Sequence, residues 1–242
     1  MAPYFKPGAK KALLFDLNGT LIDREKSRLA ALKEILEEFS GRWEGGDWGP
    51  EETVRRFAAA RRGNPGAEGR PVRALRAALR GAPLGGGETF ARMLWERAKA
   101  QAPRRAAAYS DAKDTLRKLA GSYRLAIVSN GSRDRLAQAL KASGLDELFP
   151  AELRFVSDRR TGRKPAPGLF REALRKLDVK PSEAVMIGDS WRSDVRGAGR
   201  LGIDAVWLRR KASPPKRLGR LGKSRVIAVS RLKDLLAVFG TD

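Results

Sequence analysis

Two carboxylates, each closing a short apolar run, are the residues of this sequence best placed to do chemistry. Ala12-Leu13-Leu14-Phe15 runs into Asp16, and Ala184-Val185-Met186-Ile187-Gly188 runs into Asp189. A third run, Leu125-Ala126-Ile127-Val128, ends in Ser129-Asn130-Gly131. Short, wholly apolar runs read as strands buried on both faces of a parallel sheet. In open α/β sheets, ligands bind beyond the carboxyl ends of the strands. Three strands therefore deliver two carboxylates, a hydroxyl and glycine-flanked amides to one sheet edge, the layout of an active site. A carboxylate there is a weak nucleophile that needs a cation beside it when the electrophile is itself anionic.

The rest of the composition narrows that chemistry. The 242 residues include neither histidine nor cysteine. This removes Ser-His-Asp and Cys-His catalysis, imidazole- or thiolate-bound zinc, and any disulfide framework. Carboxylates, hydroxyls, Lys, Arg and backbone remain, and hard oxygen donors point to Mg²⁺. Lys and Arg total 50 against 28 Asp and Glu, a formal charge of +22. That balance favours anionic partners: phosphorylated metabolites, nucleic acid or another polyanion. An Arg-, Ala- and Gly-rich text without Cys is also what a thermophilic or GC-rich proteome produces, so charge alone does not select a partner. The sequence opens without an apolar h-region and has no run of transmembrane length. The expectation is a cytoplasmic protein with no membrane association.

The elements that must hold these groups follow from apolar periodicity. Residues 12–15 form the first strand. From 23 to 108 no buried-strand run occurs, and Leu29, Leu32, Leu36 and Phe39 make a helical stripe with Ile35 beside it. Pro50-Glu51-Glu52 reads as a helix first turn, and further helices are predicted at 54–62, 72–79 and 89–99. Breaks fall at 41–49, Gly63-Asn64-Pro65-Gly66 and 81–87. After Tyr109, helices at 111–120, 133–143, 167–177, 192–200 and 231–238 alternate with strands at 125–128, 153–156, 184–187, 205–208 and 226–229. Such units imply right-handed crossovers and a parallel sheet. The fold class is α/β: a Rossmann-like core over 1–22 and 109–242, with a helical insertion over 23–108. A basic segment, Arg209-Arg210-Lys211 with Lys216-Arg217, Arg220, Lys223 and Arg225, reads as a solvated loop between the last two strands. The alternative is a phosphate-backbone contact surface.

Four motifs, in order along the chain, carry a family resemblance. They are Asp16-Leu17-Asn18-Gly19-Thr20-Leu21, Ser129-Asn130-Gly131, Lys164-Pro165-Ala166-Pro167 and Gly188-Asp189-Ser190-Trp191-Arg192-Ser193-Asp194. Together they resemble the haloacid dehalogenase (HAD) superfamily. With helical sequence inserted after the first motif, the chain is most similar to the C1-capped, phosphoglycolate phosphatase-like branch. The resemblance implies a HAD core with a helical cap that closes over the site and selects a small phosphorylated substrate. It implies that Asp16 attacks phosphorus and becomes an aspartyl-phosphate. Mg²⁺ would be held by Asp16, Asp189, Asp194 and the main-chain carbonyl of Asn18. Thr20, Ser129, Asn130 and Gly131 would bind phosphoryl oxygens, and Lys164 would pair with Asp16 and the phosphate. Taken singly, a strand-terminal Asp caps a turn, Asp194 is a first-turn helix acid, and Lys164 is one more surface cation. Those readings do not account for all four motifs at one sheet edge.

Asn18 departs from the pattern. The phosphatase branch carries a second aspartate there, which protonates the leaving group and then activates water. Asparagine cannot exchange that proton at neutral pH. Losing a general acid/base costs about 10²–10⁴ in rate. The sequence leaves open a slow phosphomonoester hydrolase, one suited to acyl phosphates, or a deliberately trapped variant. It also leaves open a 2-haloacid dehalogenase, whose branch lacks the second aspartate, and a catalytically weak polyanion-binding relative. Asp189 argues against the dehalogenase, because displacing halide needs no Mg²⁺. In the insertion, Arg55, Arg56, Arg61 and Arg62 are available as cationic contacts for a carboxylate or second phosphate, though singly they read as solvated. Trp43, Trp48 and Trp95 are available to wall a pocket, with core packing the expected role of each.

Overall fold

Strand β1 (Ala12–Phe15) buries all four of its side chains, as a central parallel strand must. A computed structural model describes residues 4–5, 8–43, 48–62, 71–210 and 217–241. The remaining strands are β2 (Arg124–Ser129), β3 (Arg154–Val156), β4 (Ala184–Gly188), β5 (Asp204–Leu208), β6 (Arg217–Leu221) and β7 (Ser224–Val229). Among the described residues they form one sheet in the order β3-β2-β1-β4-β5-β7-β6. All neighbours are parallel except β6 and β7. Phe15 pairs with Ile127 on one side and Ile187 on the other. That register sets Asp16, the Ser129 segment and Asp189 just beyond three adjacent strand ends.

The chain divides into two compact units, 1–23 with 107–242, and 24–106. In the first, helices α5 (Ala112–Ala120), α6 (Arg133–Ser143), α7 (Gly168–Leu177), α8 (Arg196–Gly199) and α9 (Asp234–Phe239) accompany the sheet. Leu14, Val128 and Met186 pack with Leu169, Phe170 and Ala173 of α7 in one apolar cluster. The two passages joining this unit to the other pair with each other: Ile22 bridges Ala108, and Asp23 N–H donates to Ala107 O at 2.9 Å.

The second unit holds α1 (Arg24–Glu37), α2 (Pro50–Arg62), α3 (Pro71–Ala78) and α4 (Glu88–Gln101). Its own core contains Leu32, Ile35, Leu36, Phe57, Leu75, Leu94 and Trp95. Trp43 packs against that core and donates to Leu36 O at 3.0 Å. Trp48 differs from expectation: its ring lies under the Arg56 guanidinium at 3.8 Å. The break at Gly63-Asn64-Pro65-Gly66 and part of that at 41–49 lie outside the described residues.

Two sequence expectations change. The segment between β5 and β7 is not simply a loop, because β6 pairs antiparallel with β7 through a turn at Gly222, φ +60°. Its basic text masked an edge strand, and charge is the usual protection of an exposed edge. Lys211 and Lys216 lie outside the described residues. The helix expected at 192–200 is a π-helical turn over Trp191–Val195 followed by the short α8.

The sheet carries a buried ionic tie near the starts of β1, β5 and β7. Lys10 Nζ meets Asp204 Oδ2 at 2.7 Å, and Arg225 donates to both Asp204 oxygens, from N–H at 2.6 Å and from Nε at 3.1 Å. Burial pulls the Lys10 ammonium down, while Asp204 pulls it up and offsets part of that loss. Removing one partner of such a pair strands a buried charge. Asp204→Ala should therefore cost about 3–5 kcal/mol in urea unfolding. A loss below about 1 kcal/mol, the scale of an exposed pair, would contradict this account.

Candidate active site

Asp16 is the first residue past β1, and its N–H continues the ladder to Ile187 O at 2.9 Å. The chain then turns tightly. Ile22 N–H returns to Leu17 O at 2.9 Å, and Gly19 N–H donates to Ile22 O at 2.8 Å. Gly19 sits at φ +92°, and a Cβ there would collide with the Asp189 carboxylate. Glycine is therefore what allows the first motif to touch the fourth. Asn18 is exposed. Thr20 is fully buried, and its Oγ1 has no hydrogen-bond partner among the described residues. An unused buried hydroxyl costs about 1–3 kcal/mol, so this one is a natural seat for an acceptor.

Lys164 is the junction of the site. Its ammonium is buried and donates to Asp16 Oδ1 at 2.7 Å, Val128 O at 2.6 Å and Asp194 Oδ1 at 2.7 Å. Those three bonds use every donor an ammonium has. Burial pulls its pKa down, but the charges of Asp16 and Asp194 outweigh burial and hold it above the ordinary lysine value. Asn130 fixes the lysine backbone with both ends of its amide. Oδ1 accepts from Lys164 N at 2.7 Å, and Nδ2 donates to Lys164 O at 3.0 Å. Ser129 is buried at the end of β2, and its Oγ accepts from Gly131 N at 3.3 Å.

Asp194 is buried on the π-helical turn, where its Oδ2 accepts from Ser190 N at 3.0 Å. Burial and the charge of Asp16 push its carboxyl up to about 7, with Lys164 pulling the other way. Asp189 is held from behind, its carbonyl accepting from Trp207 Nε1 at 2.9 Å. Asp16, Asp189 and Asp194 each present an oxygen within 4.8 Å of the others. Three hard anionic donors at that spacing suit Mg²⁺ in kind.

All nine residues singled out by sequence lie on the four segments described here. Four groups were not anticipated. A Cβ on Gly188 would collide with the Asp194 carboxylate, so its missing side chain makes room for that acid. Ser190 and Trp207 fix Asp194 and Asp189 by hydrogen bonds. Arg210 donates to Thr20 O at 3.0 Å, lies over the Tyr109 ring at 3.5 Å and meets Asp111 Oδ1 at 3.4 Å. Half-buried, it braces the turn that carries Thr20. Its signal was hidden in a run of like charges. In the helical unit, Arg55 and Arg56 pair with Glu52, and Arg61 meets Glu25 at 3.4 Å.

A family model described as haloacid dehalogenase-like hydrolase matches residues 10–202. The chain is 37% identical over 132 residues to (S)-2-haloacid dehalogenase 4A of Burkholderia cepacia, covering 54% of this chain and 55% of that one. It is 40% identical over 104 residues to phosphoserine phosphatase of Thermus thermophilus, covering 40% and 41%. The match thus spans about half, or less, of the length of these relatives. The crystal structure of a HAD phosphatase from Thermococcus onnurineus superposes with a TM-score of 0.58 at 26% identity, covering 96% of this chain and 99% of that one.

Because Gly188 has no room for a methyl group, Gly188→Ala should lose about 1–3 kcal/mol in chemical denaturation. Wild-type stability in that variant would mean that Asp194 is not confined as described.

Proposed function

Because the chain belongs to the haloacid dehalogenase-like hydrolases, we propose that it hydrolyses a small phosphomonoester through a covalent intermediate on Asp16. The observation that carries this reading is a charge balance. Three carboxylates crowd within 4.8 Å, and a single buried ammonium meets two of them. Three negative charges less one leave two, which one divalent cation would offset. Asp16, Asp189, Asp194 and the Asn18 carbonyl would hold Mg²⁺, which would supply positive charge against the substrate's phosphate dianion.

The chain's own residues do the rest. Lys164 engages Oδ1 of Asp16, which leaves Oδ2 to form the bond to phosphorus as the ester P–O bond breaks. Since its donors are committed to protein oxygens, Lys164 acts by holding Asp16 and Asp194 in place, more than by gripping substrate. Thr20 Oγ1 and Ser129 Oγ receive the phosphoryl oxygens, with the Asn130–Gly131 turn beside them. Asn18 cannot protonate the departing alkoxide, so solvent does. Water then attacks the aspartyl-phosphate, releasing phosphate and restoring Asp16. The helical unit serves in this reading as a C1-type cap, within which no described helix is long and apolar enough to cross a membrane.

A dehalogenase reading has one observation in its favour, the 37% identity to a haloacid dehalogenase. In it the free Asp16 oxygen would attack carbon and expel halide. It leaves the crowding of Asp189 and Asp194 around Asp16 without a purpose, and for that reason we favour the phosphatase.

The test is phosphate release from a small alkyl phosphomonoester, run beside halide release from a 2-haloacid, each with Mg²⁺ and with chelator. Slow, Mg²⁺-dependent phosphate release is expected, abolished in Asp16→Asn. In Asn18→Asp it should rise by about 10²–10⁴. Halide release that survives chelation, without phosphate release, would transfer the assignment to the dehalogenase.

A further inference from the structure

The helical unit carries a cationic groove that the proposed hydrolysis does not use. Helix α3 and the first turns of α4 line a space of about 570 Å³. Arg73, Arg76 and Arg80 border it from α3 and the turn that follows, and Arg92 and Glu88 border it from α4. Four guanidiniums thus meet one carboxylate. Glu88 is divided between Arg76 at 3.1 Å and Arg92 at 2.7 Å. Arg73 and Arg80 are exposed and form no ion pair among the described residues. Elsewhere in this unit Arg55 and Arg56 pair with Glu52, Arg97 with Glu38 and Arg105 with Glu34. The exposed Arg42 and Arg104 form no ion pair among the described residues but stand apart from this groove's lining. Positive charge is in excess at the groove.

We propose that this groove binds the sugar-phosphate backbone of duplex nucleic acid without regard to sequence. A spacing of three residues places Arg73 and Arg76 on one face of α3, and Arg80 follows in the turn beyond it. Carried through that turn at about 1.5 Å per residue, the row is about 10 Å long, a span that meets successive phosphates of one duplex strand. A row suits a line of phosphates, whereas a single small anion calls for donors converging on one point. Guanidinium forks grip phosphate oxygens in pairs. The lining includes Pro71, Val72 and Ala77 but no aromatic ring. It therefore offers no platform for unstacked bases, which favours duplex over single strand. The chain's +22 charge adds long-range attraction for any such polyanion. The basic segment at 209–225 is the weaker site, because Arg210 and Arg225 are committed to Asp111, Thr20 and Asp204.

The experiment measures the anisotropy of a labelled random-sequence duplex against the full chain, across salt from about 50 to 200 mM. Arg73→Glu/Arg80→Glu is compared with Arg171→Glu/Arg175→Glu, which makes the same charge change on α7. Arg73→Gln/Arg80→Gln serves if the reversal fails to fold. The groove variants should bind at least about tenfold more weakly. Their salt slope should be shallower by about 1.8, two contacts at 0.9 each. The α7 variant should stay within about threefold of wild type. Absence of duplex binding at the lowest salt would overturn the proposal. So would equal losses in the two variants, or tighter binding of single strand than duplex. The readout is independent of hydrolysis and stands or falls without it.

Discussion

A buried ammonium with three protein oxygens around it is the constraint on which the site depends. Lys164 cannot leave its place without stranding Asp16, Asp194 and the Val128 carbonyl together. Its charge also makes the closeness of the carboxylates tolerable. Without it, three acids within 4.8 Å would repel one another or take up protons. The shift of Asp194 to about 7 shows how much repulsion and burial remain even with the lysine in place. A divalent cation would complete the neutralisation and pull the Asp194 carboxyl back down, fixing it in its ionised form. In this reading, structure and chemistry rest on one electrostatic problem, solved in part by Lys164 and in part by metal.

The fold serves that problem by bringing backbone to the right depth. Parallel register levels the ends of β1, β2 and β4, so their terminal residues meet. Close approach then depends on missing side chains: Gly19 admits Asp189, and Gly188 admits Asp194. The supports behind these residues are single hydrogen bonds from well-anchored groups. Trp207 on β5 holds the Asp189 carbonyl, Asn130 clamps the Lys164 backbone, and Arg210 braces Thr20. In the proposed hydrolysis each would fix a group that meets the reacting atoms without meeting them itself, the usual means of preorganising a site.

Much of this was legible in sequence, for a definite physical reason. Buried parallel strands are short apolar runs, and candidate site residues sit where such runs stop, so Asp16, Ser129 and Asp189 stand out locally. The family motifs added Lys164 and Asp194. What could not be read depends on distant proximity. Asp16 and Lys164 are 148 residues apart, and nothing local shows that the lysine spends all its donors on protein. Arg210 meets Thr20 from 190 positions away, inside a basic run that reads as solvent-exposed. Strand β6 was missed because its edge position favours charge over the apolar pattern of an inner strand.

Calorimetric titration of Mg²⁺ into the chelator-treated chain, with Asp189→Asn alongside, tests the charge balance most directly. The account predicts one ion bound per chain, with proton release from Asp194 near neutral pH, and affinity sharply reduced in the variant. A folded wild-type chain that binds no Mg²⁺ at millimolar concentration, or a variant that binds as tightly, would contradict it.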